Sequence, residues 1–184
     1  MTQARMRPLT AAASLLVVAV ATAPAAHAQR DWLDEAKLGV DAHDITLGGK
    51  HQEPGADING ELLFTSRALL SAIGRPRPHF GIAVNTAGAT SYAYFGLTWT
   101  ATVLDRAFIS GALGGAVHDG EINAEKPDRK QLGSRILFHE YVEAGYRVTP
   151  VLSLSVFLDH MSNADLARHN AGMTNIGLRT GFKF

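Results

Sequence analysis

His160 and Ser162 stand two residues apart near the end of the chain, in the run Asp159-His160-Met161-Ser162-Asn163. If that run is extended, both side chains leave the same face, with their Cα atoms roughly 6.5 Å apart. An imidazole at that spacing reaches a hydroxyl with suitable rotamers. Taking its proton would make Ser162 Oγ a nucleophile for an acyl carbonyl, and His160 would later return the proton. Such a reaction runs on side chains alone and needs neither cofactor nor metal.

The elements that hold the pair must then be strands, and the alternation of the sequence agrees. Leu152, Leu154, Val156 and Leu158 lead into His160 and Ser162 on one face, so two polar groups continue an apolar stripe. Further on, Ile176, Leu178, Thr180, Phe182 and Phe184 alternate with Asn175, Gly177, Arg179, Gly181 and Lys183. Upstream, Ala93, Phe95, Leu97, Trp99, Ala101 and Val103 oppose Tyr92, Tyr94, Gly96, Thr98, Thr100 and Thr102. Eight such segments are predicted, starting near Lys37, Ile58, His79, Tyr92, Ala107, Ile136 and Val151, with the eighth closing the chain at Phe184. The first runs to about Thr46. Arg30 to Ala36 reads as a helical turn at the barrel base, Ala68 to Pro78 as a connection, and His118 to Gly133 as an exposed loop.

Long connections follow the odd strands and mostly short ones follow the even strands. That layout predicts an all-β fold: an eight-stranded antiparallel up-and-down transmembrane β-barrel. On the fourth, sixth and eighth segments one face is apolar while the other carries Thr, Tyr, Glu, Arg and Gly. An apolar exterior around a polar interior fits all three, and a soluble lipid-binding barrel would reverse it. Glu143, Arg147, Arg179 and Lys183 accordingly read as an interior charge network.

Composition agrees with an exported barrel. Arg5 and Arg7 precede an apolar run from Leu9 to Ala23 and the small-residue site Ala26-His27-Ala28. Residues 1–28 read as a cleaved signal peptide and 29–184 as a barrel domain bound for the cell outer membrane. The apolar run is too short for a membrane helix. With no cysteine, the exported domain must hold together by packing or by closing its sheet. Seventeen basic residues balance seventeen acidic ones, which offers nothing for nucleic acid. His43, His51, His79, His118, His139 and His169 show no metal-ligand spacing.

On an apolar exterior, His160 and Ser162 face lipid near the extracellular end of the seventh strand, where unpartnered polar groups are costly. A substrate reaching them arrives through the outer leaflet, which points to a lipid ester. The run His160-Met161-Ser162-Asn163-Ala164, followed by Asn170-Ala171-Gly172, resembles the lipid A 3-O-deacylase family. The resemblance implies an outer-membrane serine esterase that removes an ester-linked acyl chain from lipid A of lipopolysaccharide. It also implies Ser162 as nucleophile, His160 as general base and the Asn170 amide as an oxyanion donor. The backbone N–H of Asp165 is the implied second donor, at a position where the family has glycine.

The family's acid, a Glu on the eighth strand, aligns with Thr174. A threonine accepts a hydrogen bond from His160 but brings no negative charge, and losing that role costs about 10⁴ in rate in one serine protease. A turn centred on Pro150 would pair Tyr146 with Leu154, Val142 with Leu158 and Glu140 with His160. Glu140 is therefore expected about 5 Å from the histidine between Cβ atoms, able to supply the acid from strand six. Taken without the resemblance, the H-x-S pair also reads as a polar strand end, and Asn163, Ala164, Asn170, Ala171 and Gly172 as turn residues. The alternative function is then a small non-enzymatic outer-membrane barrel with a structural or surface-interaction role.

Overall fold

The computed structural model describes residues 32–45, 53–123 and 126–184; the expected signal peptide, Thr46 and His51 lie outside them. Eight antiparallel strands follow one another around a closed barrel: β1 (Leu33–Ala42), β2 (Ala56–Phe64), β3 (Arg77–Asn85), β4 (Tyr92–Leu104), β5 (Ala107–His118), β6 (Ile136–Arg147), β7 (Leu152–Ser162) and β8 (Met173–Lys183). β8 pairs back to β1, with Leu38 opposite Thr180 and Val40 opposite Leu178. Closure leaves no open sheet edge, which is the condition for a sheet to stand in hydrocarbon.

Three boundaries differ from the sequence expectation. β1 starts at Leu33, so Leu33 to Ala36 is strand rather than helical turn. Pairing overrides local propensity there: Glu35 lies opposite Lys183 and Leu33 opposite Phe64, and a helical turn would leave the ends of β2 and β8 without partners. β3 starts at Arg77 and takes in Pro78, tolerated because pairing with β2 begins only at His79 and leaves Pro78 on an edge at that side. The connection before it contains a short 3₁₀ helix, Ala68–Ile73. Third, the segment after β5 is not a simple exposed loop. Lys130 is 7% and Leu132 1% exposed, because this segment folds inward across the barrel mouth.

The outward face is an apolar belt. Leu38, Val40, Ile82, Val84, Leu113, Val142, Leu154 and Leu178 are all about half-exposed or more, a surface that soluble monomers rarely present. Among the described residues no helix is long and apolar enough to cross a membrane. An apolar belt around a closed antiparallel barrel is the pattern of strands that cross one.

The interior is filled, as eight strands dictate. Arg179 lies 3.1 Å above the Phe157 ring centroid and donates to Glu61 (2.6 Å), Asn59 (2.7 Å) and Tyr94 (2.8 Å). Lys37 pairs with Glu143 at 2.5 Å, and Asp159 accepts from Tyr92 at 2.7 Å and meets His139 at 3.1 Å. Glu143 and Arg179 therefore belong to the expected interior network. Arg147 instead sits at the terminal mouth over Phe108, bonded to Thr102, and Lys183 is largely exposed, 3.8 Å from Asp34.

Candidate active site

Sheet register gathers the chemistry on the outer wall. On β7, His160 lies directly opposite Glu140 of β6 and Thr174 of β8, and Ser162 lies opposite Phe138. The pairs Tyr146 with Leu154 and Val142 with Leu158, expected from the Pro150 turn, are present. His160, Ser162, Glu140 and Thr174 are all half-buried at this surface.

His160 is oriented by two neighbours. Its Nδ1 stands 2.8 Å from Thr174 Oγ1. Its other edge rests on Gly172, where a Cβ would come within 3.1 Å of Cε1 and 3.4 Å of Nε2. Gly172 also has φ +58°, so both its backbone and its missing side chain are used. With Nδ1 committed to Thr174, Nε2 is the nitrogen left to serve a nucleophile. Among the described residues no hydrogen bond joins His160 to Glu140 or to Ser162.

The loop after Ser162 is built rather than slack. Asn163 is buried, and its Nδ2 donates to the carbonyls of Leu132 (2.9 Å) and His169 (2.6 Å). Its backbone N–H donates to Asn170 Oδ1 at 3.0 Å, while Asn170 Nδ2 donates to Asp165 Oδ1 at 2.9 Å. Ala164 and Asp165 take left-handed conformations, φ 52° and 59°. Asp165 thus reproduces a backbone shape natural to glycine, at the tolerance that Asp and Asn have for it. The turn's backbone bond comes from Leu166 N–H to Asn163 O, 3.0 Å.

The mouth segment clamps this loop from behind. Lys130 Nζ donates to the carbonyl of Gly172 at 2.8 Å and pairs with Asp44 at 2.7 Å. Ala171 N–H donates to Gln131 O at 3.1 Å. Glu53 accepts from the backbone of Lys130 (2.8 Å) and Thr90 (3.0 Å) and meets His43 at 3.2 Å; His43 meets Asp57 at 2.8 Å on its other nitrogen. Burial alone would lower the pKa of His43, but the bonds and charges of Asp57 and Glu53 outweigh it and raise it to about 9. Burial likewise opposes ionisation of Glu53, yet its bonds to His43, Lys130 and Thr90 hold its pKa down at about 2.

The structure brings His160, Ser162, Glu140 and Thr174 together on one wall and places Asn170 and Asp165 in the adjoining loop. Sequence reasoning missed Lys130 and the structural work of Asn163 and Gly172. The last two carried a turn signal, whereas nothing local marks Lys130. Two apolar hollows flank the pair. One of about 510 Å³ runs from His160 and Glu140 over Val142 and Gly111 to Trp99. The other, about 440 Å³, lies beside Phe138, Asn163 and Leu166.

Comparison with known proteins follows the same lines. The profile of the family described as Lipid A 3-O-deacylase (PagL) matches residues 76–183. The crystal structure of the outer membrane enzyme PagL superposes with a TM-score of 0.57 at 21% identity, covering 82% of this chain and 99% of that one. The N-terminal β-barrel domain of Pseudomonas aeruginosa OprF superposes with a TM-score of 0.55 at 11% identity, over 84% of this chain and 98% of that one. A de novo designed transmembrane β-barrel gives 0.52 at 14% identity, over 84% and 96%. At these identities the superpositions speak for the fold. No curated protein sequence matches the chain.

Proposed function

Because this chain belongs to the lipid A 3-O-deacylase family of outer-membrane barrels, we propose that it acts as a serine esterase on lipopolysaccharide, with Ser162 and His160 as its reacting pair. The observation that supports this most directly is the lipid-facing His160, hydrogen-bonded through Nδ1 to Thr174 and two residues from Ser162. In this reading His160 Nε2 takes the Ser162 proton as Oγ attacks an acyl ester carbonyl. Collapse of the tetrahedral intermediate breaks the bond to the sugar oxygen, which receives the proton from His160. Water, activated by the same nitrogen, then releases the acyl chain from Ser162.

Asn170 and the backbone N–H of Asp165 stabilise the oxyanion. One Asn170 N–H is engaged by the Asp165 carboxylate and the amide carries a second. The task of the family's single acid is divided. Thr174 fixes the tautomer by accepting from Nδ1–H, and Glu140, across the strand pair, supplies negative charge through space at a low-dielectric surface. Residues 1–28 serve as the cleaved export signal that delivers residues 29–184 to the outer membrane.

Mass spectrometry of lipid A incubated with the purified barrel tests this. The wild type should release one acyl chain, and Ser162→Ala should slow release by about 10⁴-fold or more. Intact lipid A with both proteins would leave the non-enzymatic barrel, the reading that Thr174 in the acid position favours.

A further inference from the structure

The connection between β2 and β3 is unlike the others at its end of the barrel. β4 and β5 are joined by Asp105 and Arg106 and β6 and β7 by residues 148–151, whereas residues 65–76 lie between β2 and β3. This end carries the start of β1, the end of β8 and the short turns, and it faces the periplasm in outer-membrane barrels. The connection's 3₁₀ helix, Ala68–Ile73, lies against the outer wall. Trp99, which points outward from β4, donates its indole N–H to the Ile73 carbonyl at 2.7 Å. β3 begins opposite Thr98, so the connection covers the stretch of β4 that has no β3 partner.

Between this helix and the wall is a hollow of about 800 Å³, lined by Trp32, Phe64, Ala68, Leu70 and Pro78, with the exposed Arg67 beside them. Trp32 and Phe64 stack at 5.8 Å, an aromatic pair of the kind favoured at a membrane interface. The connection itself carries charge of one sign. Residues 65–76 contain Arg67 and Arg75 and no acid. Arg77 is engaged by Asp34 and Glu35 at 2.7 Å each, but Arg67 and Arg75 make no ion pair among the described residues.

We propose that this hollow binds an anionic phospholipid of the periplasmic leaflet, one acyl chain lying between the helix and the wall and the phosphate meeting Arg67. An apolar slot alone would take any lipid chain; the unpaired Arg67 guanidinium in its lining, with Arg75 on the same connection, selects the charge. A basic residue close to an anionic surface shifts binding roughly fivefold; a full share from Arg67 in the lining and a partial one from Arg75 give a preference of about tenfold. The site lies on β2 to β4 and is independent of the esterase on β7 and β8.

Native mass spectrometry of the full barrel in detergent, with phosphatidylglycerol and phosphatidylcholine of equal chain length supplied in equal amounts, reads this preference. Phosphatidylglycerol adducts should exceed phosphatidylcholine adducts by about tenfold in the wild type and in Ser162→Ala. The double variant Arg67→Gln with Arg75→Gln, checked for folding by its heat-dependent gel mobility, should bring the two lipids to parity. Equal retention by the wild type, or a preference that survives the double variant, overturns the proposal, as would a slot filled by a periplasmic peptide or glycan instead of lipid.

Discussion

The lumen and the outer wall of this barrel use the same residue types to opposite ends. Inside, charge is plentiful and mutually committed: Arg179 is held by Glu61, Asn59 and Tyr94, Lys37 by Glu143, and His139 by Asp159. Outside, polar groups are scarce and partly uncommitted: the side chains of Glu140 and Ser162 make no hydrogen bond among the described residues, and His160 keeps one ring nitrogen free of partners. A buried pair stabilises by staying together, and breaking it leaves an uncompensated charge. A polar group left open in an apolar wall has no such return, so its presence asks for a substrate. Polarity is therefore informative here in proportion to its rarity on a face.

The sharpest way to break this contrast is His160→Asn, which keeps a donor toward Thr174 but removes the proposed base. Lipid A deacylation should fall by about 10⁴-fold, some 5.5 kcal/mol of barrier, with gel mobility of the folded barrel unchanged. Activity that survives would place the chemistry elsewhere. The converse change is Arg179→Met in the lumen. It strands Glu61 and should lower stability by about 3–5 kcal/mol, measured by urea titration in lipid vesicles, while activity per folded molecule stays within about twofold. A matching loss of activity would show the two regions to be coupled rather than separate.

The fold was legible because both of its signals are written along the strands. Alternation gave the faces, and the turn at Pro150 gave the register that sets Glu140 against His160. The start of β1 was not legible, since Leu33 to Ala36 has no strong alternation of its own and becomes strand by pairing with β2 and β8. At the site, His160 and Ser162 stood out as polar residues on an apolar stripe. Lys130 could not stand out: the two contacts of its ammonium group, Asp44 and the Gly172 carbonyl, lie far away in sequence, one of them a backbone oxygen that no residue type announces.

A smaller effect separates the two partners of His160 on the outer wall. If Thr174 fixes the tautomer and Glu140 brings the charge, Glu140→Gln should lower kcat/KM roughly tenfold. Thr174→Glu, which restores a carboxylate on β8, should raise it by a similar factor. In the Thr174→Glu background Glu140→Gln should then matter little, because one carboxylate suffices. That non-additivity, read from the four kcat/KM values of the cycle, is the content of the idea. Additive effects would mean that Glu140 acts on something other than the imidazole, and a silent Glu140→Gln in both backgrounds would remove it from the site.

The mildest effect is expected where lumen and wall meet, at the mouth cluster of His43, Glu53, Asp57, Asp44 and Lys130. His43 has its pKa raised from 6.5 to about 9, so its contribution is complete below pH 6.5 and disappears as pH climbs through 9. Glu53 is lowered from 4.5 to about 2, so its share is complete above pH 4.5 and disappears only as pH falls through 2. Both are therefore in place between these bounds, and the mouth should loosen on the alkaline side first. Hydrogen exchange of peptides covering 126–135 and 163–172, corrected for intrinsic rate, should lose protection by about a few fold between pH 7 and pH 9. His43→Gln should flatten that dependence. Since Lys130 joins this cluster to Gly172 and Gly172 seats His160, the second peptide should follow the first. If 126–135 loosens while 163–172 stays protected, the clamp does not reach the wall, and the separation between the two regions is complete.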